Sequence, residues 1–483
     1  MPTVLRTSRY SHTLTSEPNP NLDGRKLPLV EGRALGGSTV VNGMGYVRGH
    51  PADYDGWAAA GCEGWAYADV LPYFKKAESH ADRRDDFHGG AGPLRVQTAR
   101  NLGLLQKAFL AAGAEAGYNR TSDFSGAEQE GFGLADRTVG DGRRSSTASA
   151  YIRPAQQERP NLTVMADTDV LGLRFDGDRA VGVRARRRGA EFDIDAAGEV
   201  ILSGGAYSSP QLLLLAGIGP ADELAELGIT PRLDRPGVGR NLKNHIDISV
   251  QYANLTPTSL LPLMRFPGKY IAGLQWMLFR TGPAASNQAD VGAFIRSSSA
   301  VNRPDVKFML TNIAMKPGTL EPYDDHSFEV HVNLLRPRSR GYLRLGSRDP
   351  LKPPVITLNY LDEPADRQAM RSGIRAARAL VRQAALKPFA GEELSPGPDA
   401  QSDADLDRWI KARVRSLYHQ CGTCRMGPAD DPETVVDSRL RVVGVRGLRV
   451  ADASIMPDIV AGNTVAPTIM IGEKAADMIL ADA

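Results

Sequence analysis

Gly447-Leu-Arg-Val-Ala-Asp452-Ala-Ser-Ile-Met-Pro-Asp-Ile-Val-Ala-Gly-Asn463-Thr-Val-Ala-Pro467, running on to Ala483, is the stretch on which the fold turns. It reads as a short apolar strand carrying Leu448 and Val450, a loop holding Asp452, and a helix from about Thr464. Pro467 sits near the helix start, where its missing N–H costs little. Asn463 therefore stands at a helix N-terminus, whose free N–H groups and partial positive charge suit an anionic group. Just upstream, Tyr418-His419-Gln-Cys421-Gly-Thr-Cys424-Arg-Met-Gly427 brings a histidine. We expect His419 and Asn463 to share one site.

Working outward, a second strand, a glycine turn and a helix follow one another at Glu199-Val-Ile-Leu-Ser203, Gly204-Gly205 and Ser209-Pro210-Gln211-Leu. Ser209 reads as the N-cap and Pro210 as the first helical position. This is an α/β unit. Asn161-Leu-Thr-Val-Met165, Val170-Leu-Gly-Leu-Arg-Phe175 and Ala180-Val-Gly-Val-Arg-Ala185 also read as strands. Residues 250–410 change character: strand-like runs at Asp305–Leu310, Phe328–Leu335, Gly341–Leu345 and Val355–Leu358 succeed one another, as in an antiparallel sheet. Helices are expected at about 363–386 and 403–418. The second places Leu406, Ile410, Val414 and Leu417 on one face and opens with Ser402-x-x-Asp405. Trp57 and Trp65 are expected in the core.

The composition bounds the function. With 483 residues, 42% apolar, 24% charged and a net charge of +2, the chain gives no electrostatic case for nucleic acid. The polar start, Met1 to Tyr10, lacks a signal-peptide pattern, and no apolar run approaches the ~20 residues that span a bilayer. Three cysteines, Cys62, Cys421 and Cys424, make no disulfide framework, which fits a cytoplasmic location. Thiol redox chemistry at Cys421/Cys424 is the weaker reading of that pair, and no metal-ligand motif is present. A histidine titrating near pH 6.5 can take a proton from an alcohol, and an asparagine can hold the substrate oxygen meanwhile.

Taken together, the motifs resemble the glucose–methanol–choline (GMC) family of flavin-dependent alcohol oxidoreductases, on its choline-dehydrogenase-like side. The resemblance rests on Gly32-Arg-Ala34-Leu-Gly36-Gly-Ser38-Thr-Val-Val-Asn42-Gly43-Met44-Gly45, on Gly205–Gly219, and on Val238-Gly-Arg-Asn-Leu-Lys-Asn-His245. Arg336-Pro-Arg-Ser-Arg-Gly341, the His419 segment and the Asn463 helix start complete it. The resemblance implies an α/β (α+β overall) fold with two parts. One is an incomplete Rossmann-like FAD-binding domain over 1–50, 140–245 and 415–483. The other is a substrate domain with an antiparallel sheet flanked by helices, over 51–139 and 246–414. It implies His419 and Asn463 as the catalytic pair, with His-assisted proton removal from an alcohol and hydride transfer to flavin N5. It places Ala34, Ser38, Asn42, Gly43, Met44 and Gly45 along the flavin, the Val170 backbone at the adenine, and Asp452 and Ala453 in a second cofactor loop. Val41 stands where some relatives carry a flavin-linked histidine, so non-covalent FAD is expected. The electron acceptor is left open.

Two features depart from the family. Val465 replaces a frequent asparagine, and no G-x-G-x-x-G turn occurs in the chain, whose first 31 residues hold only Gly24. The sequence reads as a member lacking its N-terminal βαβ unit, with an open groove expected beside Gly36, Val170, Gly205 and Asp452, and weak FAD retention. A catalytically silent remnant is the alternative. Asp290 falls where choline-type relatives place a substrate glutamate; it reads either as that carboxylate or as an ion-paired strand residue. Aromatic content of 6% does not favour a full cation cage, even with Trp276, Phe279 and Phe294 nearby, so a general primary alcohol is expected over choline.

Overall fold

The computed structural model describes residues 9–482, so the reading of residues 1–8 lies outside the described residues. Helix α1 (Pro51–Ala59) begins with a capping box, in which Asp53 accepts from the His50 N–H at 2.9 Å. Strand β1 (Gly131–Leu134) follows. Next come an antiparallel meander, β2 (Thr168–Asp176), β3 (Arg179–Arg187) and β4 (Ala190–Asp195), then β5 (Val200–Leu202) and α2 (Gly205–Leu215). The second half supplies β6 (Ile246–Asn254), β7 (Val291–Ile295), β8 (Val306–Thr311), β9 (Ser327–Leu334), α3 (Pro364–Val381), β10 (Ala390–Ser395), α4 (Asp403–Arg413) and β11 (Arg415–Ser416). It closes with β12 (Leu448–Val450) and α5 (Val465–Asp482).

The largest sheet is antiparallel, in the order β10-β6-β9-β8-β7-β1, with β11 added to β6. Its back face carries Ile248, Val250, Phe308, Leu310, Val330 and Val332, all buried. Helix α3 covers that face with Met370, Ile374, Ala377 and Val381, each burial stabilising by roughly 1.5–3 kcal/mol for the larger side chains. Gly373 lets helix and sheet pack closely: a Cβ there would meet Val332 Cγ1 at 2.6 Å. The front face alternates in register, with Asp247, Asn333 and Lys307 in one row and Gln251, Glu329 and Thr311 in another. Asp247, Asn333, Gln251 and Glu329 are buried and Lys307 and Thr311 half-buried, so this face looks into the molecule and not into bulk water.

A smaller parallel pair, β5 with β12, runs Val200↔Leu448 to Leu202↔Val450. Both strands end at the same edge, beside the start of α2, and Asp452 closes the two together. Its Oδ2 accepts from the Gly205 N–H at 2.9 Å and from Ser209 Oγ at 2.5 Å, and its Oδ1 from the Ser454 N–H at 2.7 Å. The observed mixture of helix and sheet agrees with the α/β class expected.

Three local expectations are corrected. Helix α2 starts at Gly205, not after Ser209, and Pro210 lies inside it. Proline cannot donate to the Ala206 carbonyl one turn back, but Thr423 Oγ1 does so at 2.6 Å, and Ser209 is left free to bind Asp452. The stretch 161–165 forms no strand, because no other segment among the described residues pairs with it. Helix α4 stops at Arg413, since residues 415 and 416 leave it to pair with β6; Leu417 is therefore not on its apolar face. Trp57 and Trp65 are fully buried as expected. Among the described residues no helix is long and apolar enough to cross a membrane.

Candidate active site

His419 follows Tyr418, a non-glycine residue at φ 61°, so a left-handed turn swings the imidazole off the end of β11. Its backbone N–H donates to Asn244 Oδ1 at 2.8 Å. Asn463 stands two residues before α5. The two side chains meet, Asn463 Nδ2 to His419 Nε2, at 3.2 Å. On the far side of the ring, His419 Nδ1 lies 3.0 Å from His245 Nδ1, and His245 Nε2 lies 2.9 Å from the Leu335 carbonyl. On the far side of the amide, Lys307 Nζ lies 2.9 Å from Asn463 Oδ1.

These contacts fix the protons. A carbonyl only accepts, so His245 Nε2 carries hydrogen and, in the neutral ring, its Nδ1 accepts. His419 Nδ1 must then donate, leaving Nε2 bare. The ammonium of Lys307 only donates, so Asn463 turns Oδ1 to it and offers Nδ2–H to that bare nitrogen. Burial keeps both rings neutral: it lowers His245 to about 3, and lowers His419 well below the ordinary histidine value, with His245 and Lys307 adding to the effect. Burial also lowers Lys307 to about 8, against the pull of Asp247. The resulting site holds an unprotonated ring nitrogen, an amide donor and an ammonium in one line.

The surrounding scaffold ties this line to distant segments. Asp53 accepts from the Ala461 N–H at 2.7 Å and from Arg336 Nη1 at 2.6 Å, linking α1, the loop before Asn463 and the chain beyond β9. A Cβ on Gly45 would lie 3.2 Å from Asn463 Oδ1, so only glycine leaves that amide undisturbed. Asn42 is held by Arg144, whose Nη1 donates to its Oδ1 at 2.6 Å, while the Met44 N–H donates to the same oxygen at 3.1 Å. Gly43 is braced by Asn287 Nδ2 on its carbonyl at 2.8 Å.

Gln420, the neighbour of His419, links the site to Glu31 and the start of α2. Gln420 Nε2 donates to Glu31 at 3.3 Å, and Glu31 in turn faces Gly205 and Asp452. Burial raises the Glu31 carboxyl to about 7, the Gln420 bond opposing and Asp452 adding. Leu35, Val170 and Ile201 remain 45%, 41% and 42% exposed, and Ala34, Ser38 and Gly43 are also open. Gln420 Oε1 is buried with no partner. Apolar side chains beside unmet polar atoms and a helix N-terminus fit a flat, partly polar ring system such as a flavin.

The structure thus brings together His419, Asn463 and Gly45, with Asn42, Gly43 and Met44 next to Gly45 in the chain, while Asp452 is held at the start of α2. Asp290 is apart from them. It is buried against Arg137 Nη1 at 2.7 Å and accepts from Ser286 Oγ at 3.2 Å, beside a cavity of about 950 Å³. Trp276 donates to the Gly142 carbonyl, and Phe279 is 69% exposed, so neither frames a cage with Phe294. Cys421 and Cys424 are unbonded and buried, and burial raises both thiols, which removes the thiolate that redox exchange needs. His245 and Lys307 were not singled out by sequence; His245 lay within a quoted motif without a role.

Comparison with known proteins gives one family. The GMC oxidoreductase models match residues 10–247 and 337–472. The oxygen-dependent choline dehydrogenase of Brucella anthropi is 42% identical over 471 residues, covering 98% of this chain and 85% of that protein. That of Rhizobium meliloti is 43% identical over 473 residues, covering 98% and 86%. Among solved structures, pyridoxine 4-oxidase from Mesorbium loti superposes with a TM-score of 0.89 at 29% identity, over 99% of this chain and 89% of that one. A formate oxidase superposes with a TM-score of 0.92 at 26% identity, over 99% and 89%.

Proposed function

The chain belongs to the GMC oxidoreductase family, and from that premise we propose that His419 is its proton acceptor and Asn463 its substrate-orienting partner in oxidising an alcohol to an aldehyde. It is an FAD-dependent, choline-dehydrogenase-like oxidoreductase. FAD, when bound, supplies the hydride acceptor. Non-covalent binding fits Val41, which offers no nucleophile. Ala34, Ser38 and Asn42–Gly45 would hold the flavin end, Val170 the adenine end, and Asp452 and Ala453 the loop between. We assign residues 140–245 and 415–483 with the segment before residue 50 to the cofactor side, and 51–139 with 246–414 to the substrate side.

The observation that carries the reading is the bare Nε2 of His419, fixed by His245 behind it and by Asn463 beside it. A hydroxyl placed between His419 and Asn463 accepts from Nδ2–H and donates to Nε2. As the proton crosses, the imidazolium keeps its Nδ1–H on His245, and Asn463 holds the oxygen so that the carbinol C–H is free to leave as hydride. A chain retained without catalysis is the less favoured reading, because relatives that match along 98% of it bear enzyme names.

The test is stopped-flow reduction of the flavin in FAD-supplemented protein. His419→Ala should slow reduction by about 10²–10⁴-fold, the span of general-base catalysis. Asn463→Ala should lose less. Reduction of His419→Ala at near the wild-type rate overturns the assignment.

A further inference from the structure

The carboxylates on the charged face of the large sheet already have protein partners. Asp247 accepts from Arg415 Nε at 2.7 Å and Asn333 Nδ2 at 2.6 Å, and pairs with His331 at 3.1 Å. Glu329 pairs with the other side of His331 at 3.1 Å and accepts from Ser249 and Gln251, each at 2.8 Å. Asp290, one residue before β7, is held by Arg137 and Ser286. The cavity beside it adds Arg84, Arg95, Arg100 and Arg280 to Arg137.

Lys307, the half-buried cation that touches Asn463, is in the opposite state. Lys307 donates to Asn463, lies 5.5 Å from the centre of the Phe294 ring, and among the described residues forms no ion pair. Asp247, in the same row of the sheet, is committed to Arg415, Asn333 and His331, so among the described residues the Lys307 ammonium has no carboxylate in contact and attracts an anion and repels a cation over several ångströms. A quaternary ammonium group needs a free carboxylate and aromatic faces. Here the carboxylates are taken, and the ring of Phe294 already faces Lys307.

We propose that Lys307 sets the charge class of the substrate: the site takes alcohols that are uncharged or carry an anionic group, and turns away quaternary ammonium alcohols. This deepens the alcohol-oxidation reading above and rests on it. Lys307 is a specificity-determining residue, acting on the substrate head and through Asn463 on its hydroxyl.

The experiment compares choline with 3,3-dimethylbutan-1-ol, the same shape without the charge, in FAD-supplemented wild type, Lys307→Met and Lys307→Arg. Wild type should oxidise the uncharged alcohol with kcat/KM at least tenfold above choline. Lys307→Met should bring the two within threefold, and Lys307→Arg should restore the gap; Lys307→Gln replaces the methionine variant should that one not fold. Calorimetry supplies a second readout. The non-oxidisable 3,3-dimethylbutanoate should bind wild type at least tenfold more tightly than Lys307→Met, and ethyltrimethylammonium should bind wild type no better than the variant. A tenfold preference of wild type for choline, or a ratio unmoved by Lys307→Met, overturns the proposal. If neither alcohol is oxidised while 3,3-dimethylbutanoate binds through Lys307, the oxidation reading falls and the charge class stands.

Discussion

The large antiparallel sheet and the small parallel pair are finished to different degrees. In the antiparallel sheet, β6, β9, β8 and β7 are each hydrogen-bonded on both sides, α3 covers the back, and Phe308, Val330 and Val332 are completely buried. In the parallel pair, β5 and β12 have three residues each, no further strand joins them among the described residues, and Ile201 in the middle is 42% exposed. Parallel sheets ordinarily have both faces and both edges covered. The contrast teaches where stability is stored: the first region carries its own, while the second offers surface that a bound group can complete.

The sharpest way to break this contrast is to remove a side chain from each. Phe308→Ala should cost about 3–5 kcal/mol in urea unfolding, as a fully buried aromatic does. Ile201→Ala should cost less than about 1 kcal/mol, because much of its surface is already in water. Equal costs would mean that the parallel pair is as well packed as the large sheet. A second, smaller effect is expected on adding FAD. At a hundredfold excess over Kd, ligand linkage supplies about 2.7 kcal/mol. Amide exchange measured by mass spectrometry should then slow in β5, β12 and residues 161–167, while β6–β9 change little. Equal slowing in both regions would erase the distinction.

The smallest effect is in pH, where the regions have different windows. In the large sheet, burial opposes but the carboxylates of Asp247 and Glu329 raise His331 to about 9; burial likewise opposes the shift of Glu329, which His331 nevertheless lowers to about 2. Stability from His331 is full below about pH 6.5 and is lost as pH rises through 9; that from Glu329 is full above about pH 4.5 and is lost as pH falls through 2. Their joint contribution is complete between those limits. Glu31, beside Gly205 and Gln420, goes the other way for a carboxylate. Burial raises it to about 7, so the unfolded chain binds fewer protons there, and its contribution is lost as pH climbs from about 4.5 through 7. Glu31→Gln should remove that decline, a relative gain of about 1–2 °C in Tm at pH 7.5 against pH 5. An identical pH profile for wild type and variant would show that Glu31 is not buried in solution.

Much of the large sheet was legible because alternation survives in its strands, as at Val306-Lys307-Phe308-Met309-Leu310. The same alternation hid Lys307. A lone lysine between apolar neighbours reads as the water-facing side, and only tertiary structure shows that this side is enclosed. The nearness of His419 and Asn463 followed from two motifs 44 residues apart, whereas the role of His245 depends on a partner 174 residues away. The start of α2 was misread for the same reason: the hydroxyl that replaces the missing Pro210 donor comes from Thr423, 217 residues after the carbonyl it serves. The stretch 161–165 has strand composition, but a strand needs a neighbour that composition cannot supply.

Asp53 also has a history in time. Its carboxylate is finally satisfied by the Ala461 N–H, 408 residues later in the chain. At the usual synthesis rate of 5–20 residues per second, roughly 20–80 s separate the emergence of the two. Throughout that interval the loop leading to Asn463 does not yet exist, and Asp53 has the His50 N–H at the head of α1 as its local partner. The contact that joins α1 to the loop before Asn463 therefore forms long after α1 itself, once residue 461 has been made.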